Sequence, residues 1–313
     1  MKRGLLIGSM LTFGAFMMLC GCAMQPVREI WMSNEDGVLV AKTGGGGVLW
    51  YRYENVPFKP YVQRLLTPNG TNVLLDAPPD HLHHHALMFA VAVDGVNFWE
   101  EQNNPGIQKH KAFADYVEVG DAETPHMAGF DEQLEWINPG TEELLLNELR
   151  MIRVCQAKDL GATLVTWRSK LEAPPDKKLV MLSGSHYFGL GARFVRSMDA
   201  DGQFRNADDN PGEIFRGEEK LVRSNWCAYS ATADGRLVTV AMFGHPENPR
   251  HPTTWFTMAR PFAYLSATLN LHEEPMKVDS EKPLVLCYGV VLWDGRVSTE
   301  KIEQAYRWWL NNN

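Results

Sequence analysis

Apolar and polar residues alternate along most of the chain in short runs, and each run ends at Gly, Pro, Asn or Asp. The pattern begins with "DGVLVAK" and "GVLWYRYE", separated by four glycines, and continues to "LVLCYGVVLW" near the end. A period of two residues with turn residues between the runs is typical of antiparallel strands. We therefore predict an all-β fold, a large antiparallel β-sandwich, rather than alternating strands and helices.

Two segments depart from this alternation. In "STEKIEQAYRWWLNNN", Ile302, Tyr306 and Leu310 share one helical face and Ser298 or Thr299 is placed to cap the first turn, which predicts a short C-terminal helix. Residues 201–224 form the longest polar stretch. They predict a long loop over one end of the sandwich, where functional residues often lie.

The first residues have the pattern of a secretion signal. Lys2 and Arg3 precede an apolar stretch that ends at "LCGC", which resembles a bacterial lipobox with Cys22 as the lipidated thiol. The alternative is an ordinary signal peptide that is cut nearby. We predict an exported lipoprotein, periplasmic or attached to the outer membrane or cell surface. The predicted boundaries are a signal peptide at 1–21, an anchor, linker and first strand at 22–44, and one sandwich domain at 45–313.

Charge and cysteine content narrow the class of protein. The net charge of −8 and the absence of a basic block argue against a nucleic-acid partner. No later stretch reaches the roughly 18 apolar residues of a membrane span, so membrane contact is expected through the lipid alone. Cys155, Cys227 and Cys287 lie in apolar runs without a CxxC motif. This pattern predicts small buried residues, with one disulfide at most and no thiolate zinc site.

Four of the ten histidines fall between positions 81 and 85, in "PPDHLHHHALMFAVAVDGVNFW". If this segment is a strand, His81, His83 and His85 share one face. Asp94 and Gly95 predict a two-residue hairpin. Its return strand would bring Glu100, with two amide side chains, to the His85 face.

Three interpretations of the histidines remain open. Histidines two residues apart on a strand can chelate a metal ion, because neutral imidazole is a common metal ligand. A histidine beside a carboxylate such as Asp80 can act as a general acid or base. The third interpretation is structural, with imidazoles bonded to loop carbonyl groups.

A second cluster lies in "FGHPENPRHPTTWF", where His245, Asn248, Arg250 and His251 are interspersed with three prolines. A proline-stiffened loop holds side chains in place without a large entropic cost on binding, although a surface loop has the same composition. Trp255 in this segment and Trp99 in the first are predicted platforms for a sugar ring. In "SGSHYFGLGARFVRS", Tyr187 is a predicted acid, and Arg193 could hold a carboxylate with two hydrogen bonds.

Together, "PPDHLHHHALMFA", "DGVNFW", "GLGARF", "HPENPRHPTTWF" and "LVLCYGVVLWDG" resemble, in this order, the PmoA-like proteins. Their family name mentions methane oxygenase, which we regard as inherited, since that enzyme subunit spans the membrane. Asp80, His81, His83 and His84 match the family pattern Asp-His-Pro-His-His-Arg-Gly-Leu, whereas Leu82, His85 and Ala86 depart from it. The residues of the second motif that match are His245, Asn248, Pro249 and His251. The resemblance implies a sandwich similar to carbohydrate-active domains of the galactose-mutarotase type.

These observations predict a lipid-anchored enzyme that cleaves or modifies a glycan, as a lyase or a glycoside hydrolase. The candidate catalytic residues are His81, His83, His84, His245, His251 and Tyr187. The candidate substrate-binding residues are Arg193, Asn248, Glu100, Trp99 and Trp255. One alternative is a carbohydrate-binding lipoprotein without activity. Another is a metalloenzyme in which His81, His83 and His251 hold a divalent metal.

Overall fold

The computed structural model describes residues 30–119 and 126–313, together with Met1. Strands dominate these ranges, and they confirm the all-β antiparallel sandwich. The predicted signal peptide and the lipidation site at Cys22 lie outside the described residues. Within the described ranges, no helix has both the length and the apolar composition needed to cross a bilayer.

In chain order the strands are β1 Ile30–Glu35, β2 Val38–Thr43, β3 Gly46–Arg52, β4 Tyr61–Leu65, β5 Leu87–Ala90, β6 Ala92–Val93, β7 Val96–Asn97, β8 Ile107–Val119, β9 Met127–Asn138, β10 Glu143–Ala157, β11 Ala162–Glu172, β12 Leu179–Ser183, β13 Gly189–Arg193, β14 Gln203–Asn206, β15 Glu213–Arg216, β16 Glu219–Arg223, β17 Trp226–Ala233, β18 Arg236–Gly244, β19 Thr254–Met258, β20 Tyr264–Thr268, β21 Met276–Asp279 and β22 Leu284–Asp294. One α-helix, α1, spans Thr299–Asn311.

Ten strands form one layer, in the spatial order β1-β2-β3-β4-β5-β13-β20-β19-β16-β15. Eight strands form the second layer, in the order β14-β17-β18-β22-β11-β10-β9-β8. A small sheet, β21-β12-β6-β7, completes the fold, and the paired strands are antiparallel. Long crossovers between non-consecutive strands therefore bring distant segments of the chain together in the middle of the ten-stranded sheet.

The main core lies between the two large sheets. Tyr51 of β3 packs on Phe130 of β9, with ring centroids 4.7 Å apart. Phe89 of β5 packs on Trp136, also of β9, with ring centroids 5.9 Å apart. Side chains in a strand alternate between faces, so the neighbours of Phe89 point away from this core. Leu190 of β13 pairs with Phe89 and so faces the core with it. Gly191 and Arg193 of the same strand therefore lie on the outer face of the ten-stranded sheet.

The helix α1 covers the outer face of the eight-stranded sheet. Ser298 caps it by accepting a hydrogen bond from the backbone N–H of Lys301, as predicted. Ile302 and Tyr306 are buried as expected, and Trp309 joins them in a second apolar cluster. The three cysteines of the described residues are buried and free of disulfides, which confirms their predicted role as small buried residues.

The polar stretch 201–224 is not a long loop. It contains β14, β15 and β16, and the last two form one end of the ten-stranded sheet. All four residues of β15 are exposed, so this edge strand has no apolar alternation for sequence analysis to detect. At the other end of this sheet, β1 pairs with β2 and β2 pairs with β3. Both β1 and β2 precede residue 45, the predicted start of the domain.

Candidate active site

The outer face of the ten-stranded sheet carries an unusual set of side chains at its centre. Arg193 of β13 pairs directly with Tyr264 of β20, and Gly191 pairs with Ser266. A side chain at Gly191 would meet the Tyr264 hydroxyl group at 2.1 Å and the Trp99 ring at 3.0 Å. Glycine is therefore needed here so that polar and aromatic groups can lie against the backbone of the sheet.

The histidine segment borders this centre, but it is not a strand. Consecutive turns shape it, because the N–H of His81 donates to the carbonyl of Pro78 and the N–H of His84 donates to that of His81. The strand β5 begins only at Leu87. The predicted alternation of His81, His83 and His85 on one face is therefore wrong. The reason is local: the turns replace the ladder, and Ala86 has a positive φ of 49°.

The turns gather three imidazole rings instead. The rings of His81 and His84 stack with centroids 4.6 Å apart, and the His83 ring meets the His84 ring edge-on at the same distance. His84 is buried, and its ring lies 5.0 Å from that of Tyr264. The segment thus connects solvent, through His81 and His83, to the centre of the outer face.

Glu100 joins the histidine cluster by a different route from the predicted one. The hairpin at Asp94 and Gly95 exists, but β6 and β7 pair over only two residues and belong to the small sheet. The loop after β7 carries Glu100 to His83, with Oε2 of the glutamate 3.4 Å from Nε2 of the histidine. The hydroxyl group of Tyr187 lies 3.5 Å from Oε1 of the same carboxylate. Glu100 thus lies between the His83 imidazole and the Tyr187 hydroxyl group, and we refer to these three residues as the candidate proton-transfer group.

Buried polar atoms without hydrogen-bond partners concentrate beside this group. Of the ten such side-chain atoms among the described residues, five lie here: Nδ1 of His84, Nε1 of Trp99, Nε and Nη1 of Arg193, and the hydroxyl oxygen of Tyr264. Arg193 is 2% exposed, and its guanidinium group lies 3.6 Å from the centre of the Phe262 ring. Native interiors leave few polar atoms unpaired, so this concentration makes the centre of the outer face a candidate binding site for a polar ligand.

Electrostatics keeps the inner histidine neutral. Burial, followed by the charges of His83, His81 and Arg193, lowers the pKa of His84 to about 2. Burial also lowers the pKa of His83, although the Glu100 carboxylate acts in the opposite direction. Burial raises the pKa of the Tyr187 hydroxyl group. At neutral pH the His84 imidazole is therefore neutral and the Tyr187 phenol is protonated.

His85 belongs to a separate ionic network. Its Nδ1 lies 3.0 Å from Asp76 and its Nε2 lies 2.8 Å from Glu101, which also accepts a hydrogen bond from the buried Lys59 at 2.6 Å. Burial alone would lower the pKa of His85, but the bonds to the two carboxylates raise it above its ordinary value. This histidine links the segment before β5 to Glu101 in the loop after β7.

The second predicted cluster lies elsewhere. Its loop ends at β19, where Thr254 pairs with Thr268, whereas Tyr264 pairs with Met258 at the other end of the same strand. Four residue steps of about 3.3 Å separate these ends, or roughly 13 Å. The backbone of His251 accepts a hydrogen bond from Arg223 near the Thr254 end. The expectation that this loop faces the first cluster and adds His245 and His251 to one site is therefore wrong.

Asn248 and Trp255 have structural contacts instead of the predicted substrate contacts. The Asn248 amide donates to the carbonyl of Cys287 at 2.8 Å and accepts from its N–H at 2.7 Å, which ties the loop to β22. Trp255 is fully buried on the inner face of the sheet and donates to the carbonyl of Ser224. His245 and Asn248 line a separate cavity of about 740 Å³ on the outer face of the eight-stranded sheet.

Trp99 lies at the centre of the site, but it is not an open platform. Its ring is fully buried and stacks on Phe188 at 5.1 Å, so neither face is free for a sugar. Its indole N–H remains unpartnered and can donate to a ligand. Sequence analysis missed Tyr264 altogether, because "FAYLSATLN" has only the pattern of a buried strand.

The predicted metal ligands do not converge. His251 is at the far end of β19 from His81 and His83, as the register shows. Among the described residues, no group of three or more His, Cys, Asp or Glu side chains is arranged to hold a metal ion. The imidazoles of the first cluster contact one another and Phe262 through their ring faces and edges.

Sequence comparison assigns the chain to a family. The model of DUF6807, described as a family of unknown function, matches residues 39–307. The chain belongs to the DUF6807 family. The match runs from β2 into α1 and so includes the eight-stranded sheet, the ten-stranded sheet apart from β1, and the whole candidate site. No curated protein matches the sequence significantly.

Solved structures with a similar arrangement share little sequence with the chain. YeaD from Salmonella typhimurium, a candidate mutarotase, is 10% identical with a TM-score of 0.39, over 84% of this chain and 90% of YeaD. The GH36 alpha-galactosidase AgaA from Geobacillus stearothermophilus is 9% identical with a TM-score of 0.42. That match covers 85% of this chain but only 41% of AgaA. Slr1438 from Synechocystis sp. PCC 6803 is 9% identical with a TM-score of 0.36, over 86% of this chain and 98% of Slr1438. At these TM-scores the likenesses carry no argument about function.

Proposed function

We propose that this chain is a carbohydrate-active enzyme that cleaves or modifies a glycan on the outer face of its ten-stranded sheet. His83, Glu100 and Tyr187 transfer protons, and Arg193, Tyr264, Trp99 and His84 bind the substrate. The single observation that carries the proposal is the concentration of unpartnered buried polar atoms beside a histidine–carboxylate–tyrosine group.

A sugar has the hydrogen-bonding capacity that these atoms require. Each hydroxyl group both donates and accepts, so it can pair with Arg193, which only donates, and with Tyr264, which does either. The neutral His84 imidazole has one donor and one acceptor nitrogen. A ligand that satisfies several of these atoms at once gains more than a ligand that leaves them unpaired.

Two reactions fit the proton-transfer group. In hydrolysis, water adds across the glycosidic bond while one group protonates the leaving oxygen and another removes a proton from water. In β-elimination, a base removes the proton from the carbon next to a carboxylate, a carbon–carbon double bond forms, and the leaving oxygen takes a proton from an acid. Arg193 can neutralise a substrate carboxylate in this case, since Asp80 approaches only one of its nitrogens, at 3.5 Å.

The proposal includes export and anchoring through Cys22, which rest on the leader pattern alone. It also retains the resemblance to the PmoA-like proteins as an assignment finer than the DUF6807 family. In the alternative of a carbohydrate-binding lipoprotein without activity, the same buried polar atoms would bind a glycan and release it unchanged. We do not retain the metalloenzyme, because its three ligands lie apart.

A product screen tests the proposal. The purified protein is incubated with neutral and uronic polysaccharides, and products are analysed by mass spectrometry beside the variants His83→Ala and His245→Ala. We expect products from the native protein and from His245→Ala, whose histidine lies in the other cavity, but not from His83→Ala. Addition of water identifies a hydrolase, and a new double bond identifies a lyase. Binding of a glycan without any product would support the inactive binding protein instead.

A further inference from the structure

One exposed aromatic residue lies close to the candidate active site. Phe215 of β15 is 46% exposed, yet its ring stacks on that of His186 with centroids 3.8 Å apart and 22° between the planes. His272 meets the Phe215 ring edge-on at 5.4 Å. One face of the phenyl ring is thus supported by a histidine, while much of the ring remains open to solvent.

The supporting histidine is fixed on both sides. Its Nε2 lies 3.0 Å from Glu219, and its Nδ1 lies 3.1 Å from the Ser185 hydroxyl group. Glu219 in turn accepts a hydrogen bond from Arg216 at 2.7 Å. The phenyl ring is therefore held in place before any ligand arrives, which reduces the entropy lost on binding. We call Phe215 with His186 the aromatic platform.

The aromatic platform continues the surface of the proton-transfer group. The rings of His186 and Tyr187 lie 5.0 Å apart, and the Tyr187 hydroxyl group reaches Glu100. Both rings rest over Phe256, which pairs with Ser266 on the outer face of the ten-stranded sheet. Tyr187 and Phe215 flank the same histidine, with ring centroids 5.0 and 3.8 Å from that of His186, so a ligand that reaches Tyr187 can extend to Phe215.

A cavity of about 490 Å³ lies beyond the aromatic platform on the same face, within the usual size range of ligand pockets. Its lining includes Glu213, two residues before Phe215, and Glu273, directly after His272. Buried atoms without partners occur here too: Oδ1 of Asn270, which lines the cavity, and Nδ1 of the adjoining His272. Unpartnered buried polar atoms therefore occur at both ends of this surface, at the candidate active site and at the cavity.

The charges around the cavity favour an uncharged ligand. Its lining contains three glutamates, Glu213, Glu273 and Glu274. Its two arginines are already engaged. Arg250 donates to the carbonyl of Leu269 and to Glu274, and Arg223 donates to the carbonyls of Arg250 and His251. Anionic rings would therefore meet unbalanced negative charge here.

We propose that the aromatic platform binds the sugar ring next to the one in the candidate active site, and that the cavity beyond it binds the following rings. The ligand is then an oligosaccharide or polysaccharide chain whose rings in this region are uncharged, and not a free monosaccharide. The inference rests on the proposed function only for the ring that occupies the active site.

The test measures binding and needs no turnover. The purified protein and the variants Phe215→Ala and Ile214→Ala are applied to an array of defined oligosaccharides, from single sugars to long chains. Ile214 is the matched control, because it is the 69% exposed neighbour on the same strand. We expect longer members to bind the native protein more tightly. Phe215→Ala should weaken their binding about tenfold and Ile214→Ala should not, since a stacked ring contributes an interaction of this size.

Binding that does not depend on length, an unchanged Phe215→Ala variant, or no binding of the native protein to any member would each overturn this inference. The proposed function fails separately, through the absence of product in the screen above. Length-dependent binding without a product would leave the aromatic platform in place on a protein that binds glycans.

Discussion

Nε2 of His83 and Oε2 of Glu100 lie 3.4 Å apart, although β5 and the hairpin of β6 and β7 separate them along the chain. The same carboxylate lies 3.5 Å from the hydroxyl group of Tyr187. Glu100 therefore stands between a titratable imidazole and a phenol. Under the proposed function, Glu100 exchanges protons with these two neighbours at the edge of the polar centre.

Glu100→Gln should abolish most of the activity while the fold remains. We expect kcat/KM to fall roughly 100-fold, because the amide cannot accept a proton. Glu100 is about one-third exposed and has only long contacts, so the free energy of unfolding should change by less than about 0.5 kcal/mol. The pKa of His83 should fall further, since burial lowers it and only nearby carboxylates oppose this. Kinetics, urea unfolding and NMR titration of His83 check these expectations, with the exposed Glu247→Gln as control. Equal activity in the two variants would contradict the assigned role.

The network around His85 predicts a pH dependence of stability. The folded pKa of His85 lies above its ordinary value of 6.5, so its contribution is complete below pH 6.5 and is lost as pH rises through the folded value. Asp76 and Glu101 have lowered pKa values. Their contributions are present above the ordinary values of 3.8 and 4.5 and are lost as pH falls through the lowered values. All three contribute between pH 4.5 and 6.5.

His85→Gln should therefore destabilise the protein most in this window. We expect a loss of about 3 kcal/mol at pH 6, because the two carboxylates lose the cation between them. Urea unfolding across a pH series measures the difference between native protein and variant. The difference should narrow at pH 9, where the native imidazole is less protonated. A loss that stays constant from pH 6 to pH 9 would show that folding does not raise the pKa of His85.

Asn248→Ala should affect stability and not catalysis. The side chain makes two hydrogen bonds with the backbone of Cys287, and both Cys287 groups are buried with them. The Cys287 carbonyl group keeps the hydrogen bond from the N–H of His245, so only the Cys287 N–H is left unpaired. Its loss of a partner should cost about 1–3 kcal/mol, less whatever water can replace. We expect a lower melting temperature with unchanged kcat/KM of the folded fraction. A fall in kcat/KM at temperatures where the variant is fully folded would return Asn248 to the substrate-binding residues.

Much of the fold followed from the sequence because strand alternation reports burial on one face. It failed at β15, whose four residues are all exposed, and at the histidine segment, where turns interrupt the period. The composition of a segment does not show whether His83 continues a strand or closes a turn. Two nested backbone hydrogen bonds and the positive φ of Ala86 decide that here.

The candidate site was predicted in part for a related reason. Local motifs indicated His83, Glu100, Tyr187 and Arg193, and the fold brings these together. It places His251 apart, because the loop enters β19 at Thr254, the end of the strand away from Tyr264, and a motif does not show which end of a strand lies beside the histidines. Tyr264 carries no motif at all. It becomes significant only because β20 pairs with β13, which places Tyr264 opposite Arg193 and its hydroxyl group against Gly191.

Tyr264→Phe should have opposite effects on stability and on activity. The hydroxyl group is buried without a partner, so its removal breaks no hydrogen bond in the free protein. We expect the free energy of unfolding to rise by about 1 kcal/mol, since an unsatisfied buried polar group is destabilising. If a sugar hydroxyl group pairs with Tyr264 in the complex, kcat/KM should fall about tenfold in the same variant. Urea unfolding and steady-state kinetics on one preparation measure both. A stabilised variant with full activity would show that the substrate does not reach Tyr264. A destabilised variant would show instead that the hydroxyl group is paired in the folded protein.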